Sequence, residues 1–544
     1  MKRSENSIIY DNNNLLLIEN SAINPNKLYE FNWDINIIFA LPELVLLFGI
    51  LFLLVFGSIL AKNKYTFFNQ IIDKDNLIFK SIGYGMVSLF LFMIFFIIKF
   101  CSHIGVWTMF GNALIISDGH NNIKILILLI SAFLILISMR YLIINQINSF
   151  EYFILIGFIT LGGMLLISSF SFINFYLALE LQSISIYLLC GFHRYSAWSI
   201  EAALKYFILG GVSSAILLFG ISLIYGFSGG FINFMDLHLF FKYPTEVLSF
   251  DILQHIGLLF ILIGILFKLA IVPFHFWAPE VYEGSFLPVT ALIATLPKFT
   301  IIISFLYIFD FVFGGSGINH KLIEIILMVV GSLSIFWGSI SAIKQKTIKR
   351  FLAYTSINQM GFFIFGFIAG GSIGIQSCIN FIVIYVFQLL GIFGIMMVLV
   401  ENNQYITDLS VIRKSNKSLA LMLSLFFFSL LGIPPFAGFF SKYYILQALV
   451  EQSIRKYNDL FIYLPFIFLL IIFSVIAAYY YFRIVKIIWF DDNSTKKITD
   501  FEGISKSSLI VVSLIFMFNL TFMLFEEYFV SFLSKYIYTC LYIV

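Results

Sequence analysis

Lys205, Lys268, Lys298 and Lys442 each lie inside an apolar stretch long enough to cross a lipid bilayer. A charged side chain at bilayer depth costs about 2.5–3.5 kcal/mol on insertion scales, so such residues are rarely incidental and usually line an ion or proton path. Two carboxylates, Glu43 and Glu180, also fall within apolar stretches. Burial disfavours the charged form of either residue type, whereas pairing a lysine with a glutamate favours both charged forms. Making or breaking such a pair therefore switches proton affinity, which is the chemistry a proton pump needs. Hydroxyls able to join titratable sites are supplied by Ser183, Ser185, Tyr206, Ser213, Ser214, Thr290, Thr295 and Tyr443. His275 has the right protonation range for a shuttle, and reads equally as a solvated helix-end histidine. Glu43, near the start of its stretch, reads also as a snorkelling or capping residue, and Lys205 as one that reaches an interface. For Glu180, Lys268, Lys298 and Lys442 the alternative is a static salt bridge.

The elements that must hold these groups follow from composition. With 61% apolar, 19% aromatic and 11% charged residues and a mean hydropathy of +1.00, too little polar surface remains to solvate a 544-residue globule. An all-α polytopic membrane protein is expected. Fourteen apolar runs of spanning length recur, near 35–60, 77–99, 123–143, 150–169, 171–191, 197–226, 252–273, 286–309, 320–343, 349–370, 373–400, 418–449, 459–488 and 505–530. An even number puts both termini on one side. The loops after runs 1, 3, 5, 9, 11 and 13 hold eighteen Lys or Arg against ten on the other side. The termini should therefore face away from the matrix or cytoplasm. Runs 7 and 12 read as broken helices. Pro273 follows Lys268 by five residues, and Gly432-Ile433-Pro434-Pro435 precedes Lys442. Prolines free carbonyls that then need partners, and broken helices at bilayer depth commonly mark transport sites.

Other chemistries find less support. A net charge of +3 carried in loops offers no basic face for nucleic acid. Cys101, Cys190, Cys378 and Cys540 form no CxxC, haem or iron–sulfur signature, and read as apolar fillers. His193, His238, His255 and His320 lack metal-ligand spacing, and no phosphate-binding glycine loop occurs. Residues 1–34 are polar, with no basic leader entering a long apolar core. The abundance of Phe, Ile, Asn and Tyr is what AT-rich coding produces, consistent with an organellar gene.

The segment Phe267-Lys268-Leu269-Ala270-Ile271-Val272-Pro273-Phe274-His275-Phe276-Trp277-Ala278-Pro279-Glu280-Val281-Tyr282-Glu283-Gly284, with Leu287-Pro288-Val289-Thr290 and Pro297-Lys298, is long and unusual. It resembles the antiporter-like membrane subunits of respiratory NADH:ubiquinone oxidoreductase, complex I, and chain 2 among them. Lys349 to Ile357, Gly432 to Lys442, and Glu201 to Tyr206 with Gly210-Gly211 resemble further motifs of that family. The likeness covers roughly residues 35–530. It implies two inverted five-helix repeats at 150–309 and 320–488, preceded by helices 1–3 at 35–143 and the extension 1–34, and followed by a C-terminal helix and tail at 505–544. It also implies a proton relay of Glu180, Lys205, Lys268, Lys298 and Lys442, in which a changing Glu180/Lys268 pair alters the affinity of the lysines and Lys442 acts as exit gate.

The resemblance further implies no cofactor in this chain, with FMN, iron–sulfur clusters, NADH and ubiquinone in partner subunits. The partners would be other complex I membrane subunits and lipids, in the mitochondrial inner membrane or a bacterial plasma membrane. One departure stands out. Where the family often has histidine before Met/Val-Gly, this chain reads Asn358-Gln359-Met360-Gly361, so proton transfer there would depend on water. A stand-alone cation/proton antiporter and a structural scaffold remain the competing functions.

Overall fold

The computed structural model describes residues 39–62, 71–101, 105–242, 251–313, 317–398, 405–455, 460–491 and 506–541. The polar stretch 1–34 lies outside them. An apolar chain in lipid must satisfy its backbone internally, and a helix does so within its own segment. The helices in order are α1 (Leu41–Lys62), α2 (Ile71–Phe100), α3 (Asp118–Ile144), α4 (Glu151–Ser168), α5 (Phe172–Cys190), α6 (Ala197–Phe227), α7 (Phe234–Lys242), α8 (Asp251–Lys268) and α9 (Trp277–Gly284). They continue with α10 (Leu287–Tyr307), α11 (Gly317–Lys344), α12 (Ile348–Ile368), α13 (Gly371–Val398), α14 (Ser410–Ser415), α15 (Lys417–Leu431), α16 (Ala437–Arg455), α17 (Leu460–Phe490) and α18 (Lys506–Leu541). Between α2 and α3 a short antiparallel hairpin pairs β1 (Trp107–Met109) with β2 (Leu114–Ile116).

Among the described residues, twelve helices are long and apolar enough to cross a membrane, and α8 and α15 are shorter apolar helices. The all-α polytopic architecture is thus present. Expected run 12 is divided in two as α15/α16, and run 7 ends at Lys268 in α8 with the short α9 following beyond it. The hairpin and α7 were not anticipated, because neither carries a long apolar period. Helix α10 is enclosed along its whole length and α13 over all but its first turn, and the two pack against each other, which makes them the centre of the bundle. At the rim, α1 and α17 leave Phe48, Phe52, Phe468 and Val475 exposed, as lipid-facing surface requires. Helix α18 lies along α3 and α13 and closes one side.

Both broken helices end in the same way. In α8 the Ile271 N–H donates to the Leu266 carbonyl (3.1 Å) and the Ala270 N–H to that of Phe267 (3.0 Å), with Ala270 at φ 59°. In α15 the Ile433 N–H donates to Phe428 (3.2 Å) and the Gly432 N–H to Ser429 (3.0 Å), with Gly432 at φ 93°. This paired pattern with a left-handed residue is the Schellman stop. It ends each half-helix and leaves its last carbonyls without intrahelical donors.

Candidate functional site

Those unclaimed carbonyls are where the second broken helix places its lysine. Lys442, in the first turns of α16, reaches back so that its Nζ donates to the carbonyls of Leu430 and Leu431, each at 2.9 Å. A cation there meets the negative pole of α15 as well as two orphan acceptors. The return of the chain is tight. Ser429 Oγ accepts from the Gly438 N–H (3.2 Å) and from Gln388 Nε2 (2.6 Å), and donates to Asn519 Oδ1 (2.8 Å). At Gly438 a Cβ would collide with the Ser429 carbonyl, so only glycine permits this approach. In the first broken helix the lysine sits on the other side of the stop. Lys268 is the last residue of α8, and the Phe267 carbonyl accepts from Trp277 Nε1 of α9 (2.9 Å).

Lys268 is buried, and its Nζ donates to the Tyr187 hydroxyl at 3.1 Å. Tyr187, Ser183 and Glu180 follow one another down a single face of α5, and Ser183 Oγ lies 3.3 Å from Glu180 Oε2. The expected direct Glu180/Lys268 pair is therefore absent. The hydroxyls of Tyr187 and Ser183 stand between the Lys268 amine and the Glu180 carboxylate. Gly210 of α6 makes room for the Tyr187 hydroxyl, since a Cβ there would occupy its place. Tyr206 packs edge-on to Tyr187 (4.8 Å between centroids) and stacks on Trp277 (4.6 Å).

Lys298, near the middle of α10, is buried and donates to Ser356 Oγ of α12 at 2.9 Å. It also lies 5.6 Å from the centre of the Tyr282 ring. Lys268 and Lys298 line one cavity together with Gln182, Ser183, Tyr206 and Trp277. The cavity has room for about one water molecule. One turn beyond Ser356 on α12, Gln359 Nε2 lies 3.4 Å from the Leu430 carbonyl, the same oxygen that holds Lys442. Helix α12 thus touches the partners of both Lys298 and Lys442.

Among the described residues, Lys268, Lys298 and Lys442 have no carboxylate at ion-pair distance. Each rests instead on hydroxyls or carbonyls and an aromatic face, Tyr187, Tyr282 and Phe362 respectively. The static-salt-bridge reading does not describe them. Neutral acceptors and ring faces compensate a buried ammonium only in part.

Lys205 lies elsewhere. Its side chain is 42% exposed on the flank of α6, where Nζ bridges Glu201 and Glu280 at 2.7 Å each. It does not join the buried lysines. His275 is buried in the loop between α8 and α9, edge-on to Trp337 of α11 (6.1 Å), and does not line the lysine cavity. Tyr443 is half-exposed and stacks on Phe439, away from the path.

Three groups went unrecognised in the sequence. Lys124 is fully buried and ion-paired with Glu43. Lys349 holds the C-terminal end of α9 by donating to the Ser285 carbonyl at 2.6 Å. Tyr187 supplies the hydroxyl on Lys268. The first had a usable signal, because Ser117-Asp118 is a helix start and places Lys124 nearly two turns inside α3. Among the described residues, no group of three or more His, Cys, Asp or Glu could hold a metal ion.

A bundle of spanning helices with two broken helices and unpaired buried amines defines an antiporter-like membrane protein. The family model for the transmembrane region of NADH:quinone oxidoreductases and Mrp antiporters matches residues 169–464. The fold is similar to that of a chain in respiratory complex I from Thermus thermophilus with bound aureothin, with a TM-score of 0.69 at 22% identity over 91% of this chain and 99% of that one. NADH-quinone oxidoreductase subunit N of Pelagibacter ubique is 40% identical over 421 residues, 76% of this chain and 85% of that protein. NADH-ubiquinone oxidoreductase chain 2 of Marchantia polymorpha is 34% identical over 482 residues, 87% of this chain and 93% of that protein. The chain belongs to the subunit N, or chain 2, family of NADH:quinone oxidoreductases.

Proposed function

We propose that this chain is the proton-translocating chain 2 subunit of an NADH:quinone oxidoreductase, and that Lys268, Lys298 and Lys442 carry the protons. The observation that supports it most is the shared cavity of Lys268 and Lys298, continued through Ser356 and Gln359 of α12 to the carbonyl that holds Lys442. Electron transfer in partner subunits would change the field at Glu180, and Ser183 and Tyr187 would pass that change to Lys268. A proton then moves by way of cavity water to Lys298, and along the polar edge of α12 to Lys442. Moving one charge through 100 mV costs about 2.3 kcal/mol, within the range of the hydrogen bonds to charged groups that must be broken and remade. Lys205, with Glu201 and Glu280, acts at the rim where protons or a neighbouring subunit approach. His275 is a reserve shuttle outside the main line.

In this reading α4–α10 and α11–α17 form two inverted repeats, five spans each, and the termini face away from the matrix or cytoplasm. NADH, FMN, iron–sulfur clusters and ubiquinone belong to partner subunits, and the chain resides with them in the mitochondrial inner membrane. Lys268→Ala and Lys442→Ala in the intact complex test the reading. Assembled complexes should lose NADH-driven proton pumping, and unchanged pumping in both would leave the chain a scaffold.

A further inference from the structure

Outside the lysine line, a second polar cluster is sealed at one end of the bundle. Lys124 of α3 is ion-paired with Glu43 of α1, the lysine fully buried and the glutamate nearly so. One turn before Lys124, His120 is also fully buried. Its Nδ1 lies 2.6 Å from Ser117 Oγ, and its ring meets Tyr307 of α10 (5.9 Å) and Tyr536 of α18 (5.2 Å) edge-on. Asn122 Nδ2 donates to the Phe532 carbonyl (2.9 Å), tying α18 over the cluster, and Asn121 Nδ2 donates to that of Cys101 (2.9 Å).

A purely structural ion pair is expected to have its remaining lone pairs satisfied, because each open buried polar atom costs about 1–3 kcal/mol. Here three acceptor positions of the cluster stay open, Glu43 Oε2, His120 Nε2 and Asn121 Oδ1. Lys124 lies within electrostatic reach of His120 and of Cys101. Tyr307 also ends the helix that carries Lys298, nine residues earlier and so about 13 Å away along the axis. Among the described residues, Cys101 lies within electrostatic reach of the pair, and the Tyr307 and Tyr536 rings face His120.

We propose that Glu43, Lys124 and His120 form a proton-exchange site at the outer end of the bundle, through which protons leave on the side the termini face. The proposal rests on the proton-translocating reading. With Nδ1–H directed at Ser117 Oγ, Nε2 is a free acceptor. A proton arriving at the Glu43 carboxylate neutralises it and releases Lys124 from the pair. Lys124 gives its own proton to His120 Nε2, and the imidazolium passes a proton outward. The Glu43 proton then returns to the Lys124 amine and restores the ion pair; one proton has crossed, and the cycle closes when the imidazole, left with its proton on Nε2, returns to its Nδ1–H tautomer.

Lys124→Arg tests this most sharply, because arginine keeps the charge and the pair but cannot release a proton. In membrane vesicles holding the intact complex, the proposal expects assembled Lys124→Arg to lose NADH-driven proton pumping, read with a pH-sensitive dye. Two further variants read the same step, the neutral double variant Glu43→Gln with Lys124→Gln, and His120→Gln. Both are expected to pump less than wild type. Wild-type pumping in any assembled variant overturns the proposal, as does failure of all three to assemble, which would make the pair structural. If Lys298→Ala stops pumping while these variants do not, only this inference falls. If the wild-type complex does not pump, the functional reading itself falls.

Discussion

Replacing Tyr187 by Phe removes one oxygen from the candidate path and little else. The ring keeps its edge contacts with Tyr206 and Phe207, so folding should be nearly unaffected. What is lost is the hydroxyl that accepts from Lys268 at 3.1 Å and continues the α5 face toward Ser183 and Glu180. Hydrogen bonds to charged groups contribute about 1.5–3 kcal/mol. At 1.36 kcal/mol per tenfold, a step that depends on this contact should slow about 10- to 150-fold. The adjoining cavity has room for about one water, and a water there would stand in for the missing oxygen. The lower end of the range, about tenfold, is therefore expected. The rate of NADH-driven proton pumping in reconstituted vesicles, per assembled complex read on a native gel, gives the measure. Gly210→Ala is the companion variant, since its Cβ displaces the same hydroxyl without removing it, and it should lower pumping as well. Tyr187→Phe pumping within about twofold of wild type would refute the reasoning behind that range.

Gly438→Ala places a Cβ against the Ser429 backbone carbonyl, and overpacking against an atom that cannot yield costs about 1–3 kcal/mol or more. A lower yield of assembled complex and a lower dissociation temperature are expected, and wild-type values for both would contradict the packing. Gln359→His puts a titratable ring beside the carbonyl that holds Lys442. Below about pH 6.5 its added positive charge should oppose the protonated amine, so pumping should fall with pH more steeply than in wild type. An unaltered pH profile would show that Gln359 is off the path.

The buried lysines were legible because a charge within twenty apolar residues has few explanations, and the breaks because proline and glycine interrupt the same runs. Lys298 and Lys442 accordingly lie where the pattern placed them. Their partners were not legible. Whether Lys268 meets Glu180 directly or through Tyr187 depends on how α5, α6 and α8 pack, down to the missing Cβ of Gly210. Lys205 read either as a relay member or as a side chain reaching an interface, and it lies on an exposed flank. Its position is set by Glu280, which arrives only when the chain turns back through α9. Lys124 was not legible for a simpler reason. Its helix begins at Asp118, several residues before the apolar run, so a lysine at the edge of that run is fully buried.

Lys298 bears the central claim most directly, because it stands on the enclosed helix α10, faces the cavity it shares with Lys268, and contacts α12 through Ser356. Proton pumping by vesicles carrying assembled Lys298→Ala complex, set against wild type at equal complex content, is the decisive measurement. The account predicts that pumping is lost. Wild-type pumping from that assembled variant would show that protons do not pass along these amines.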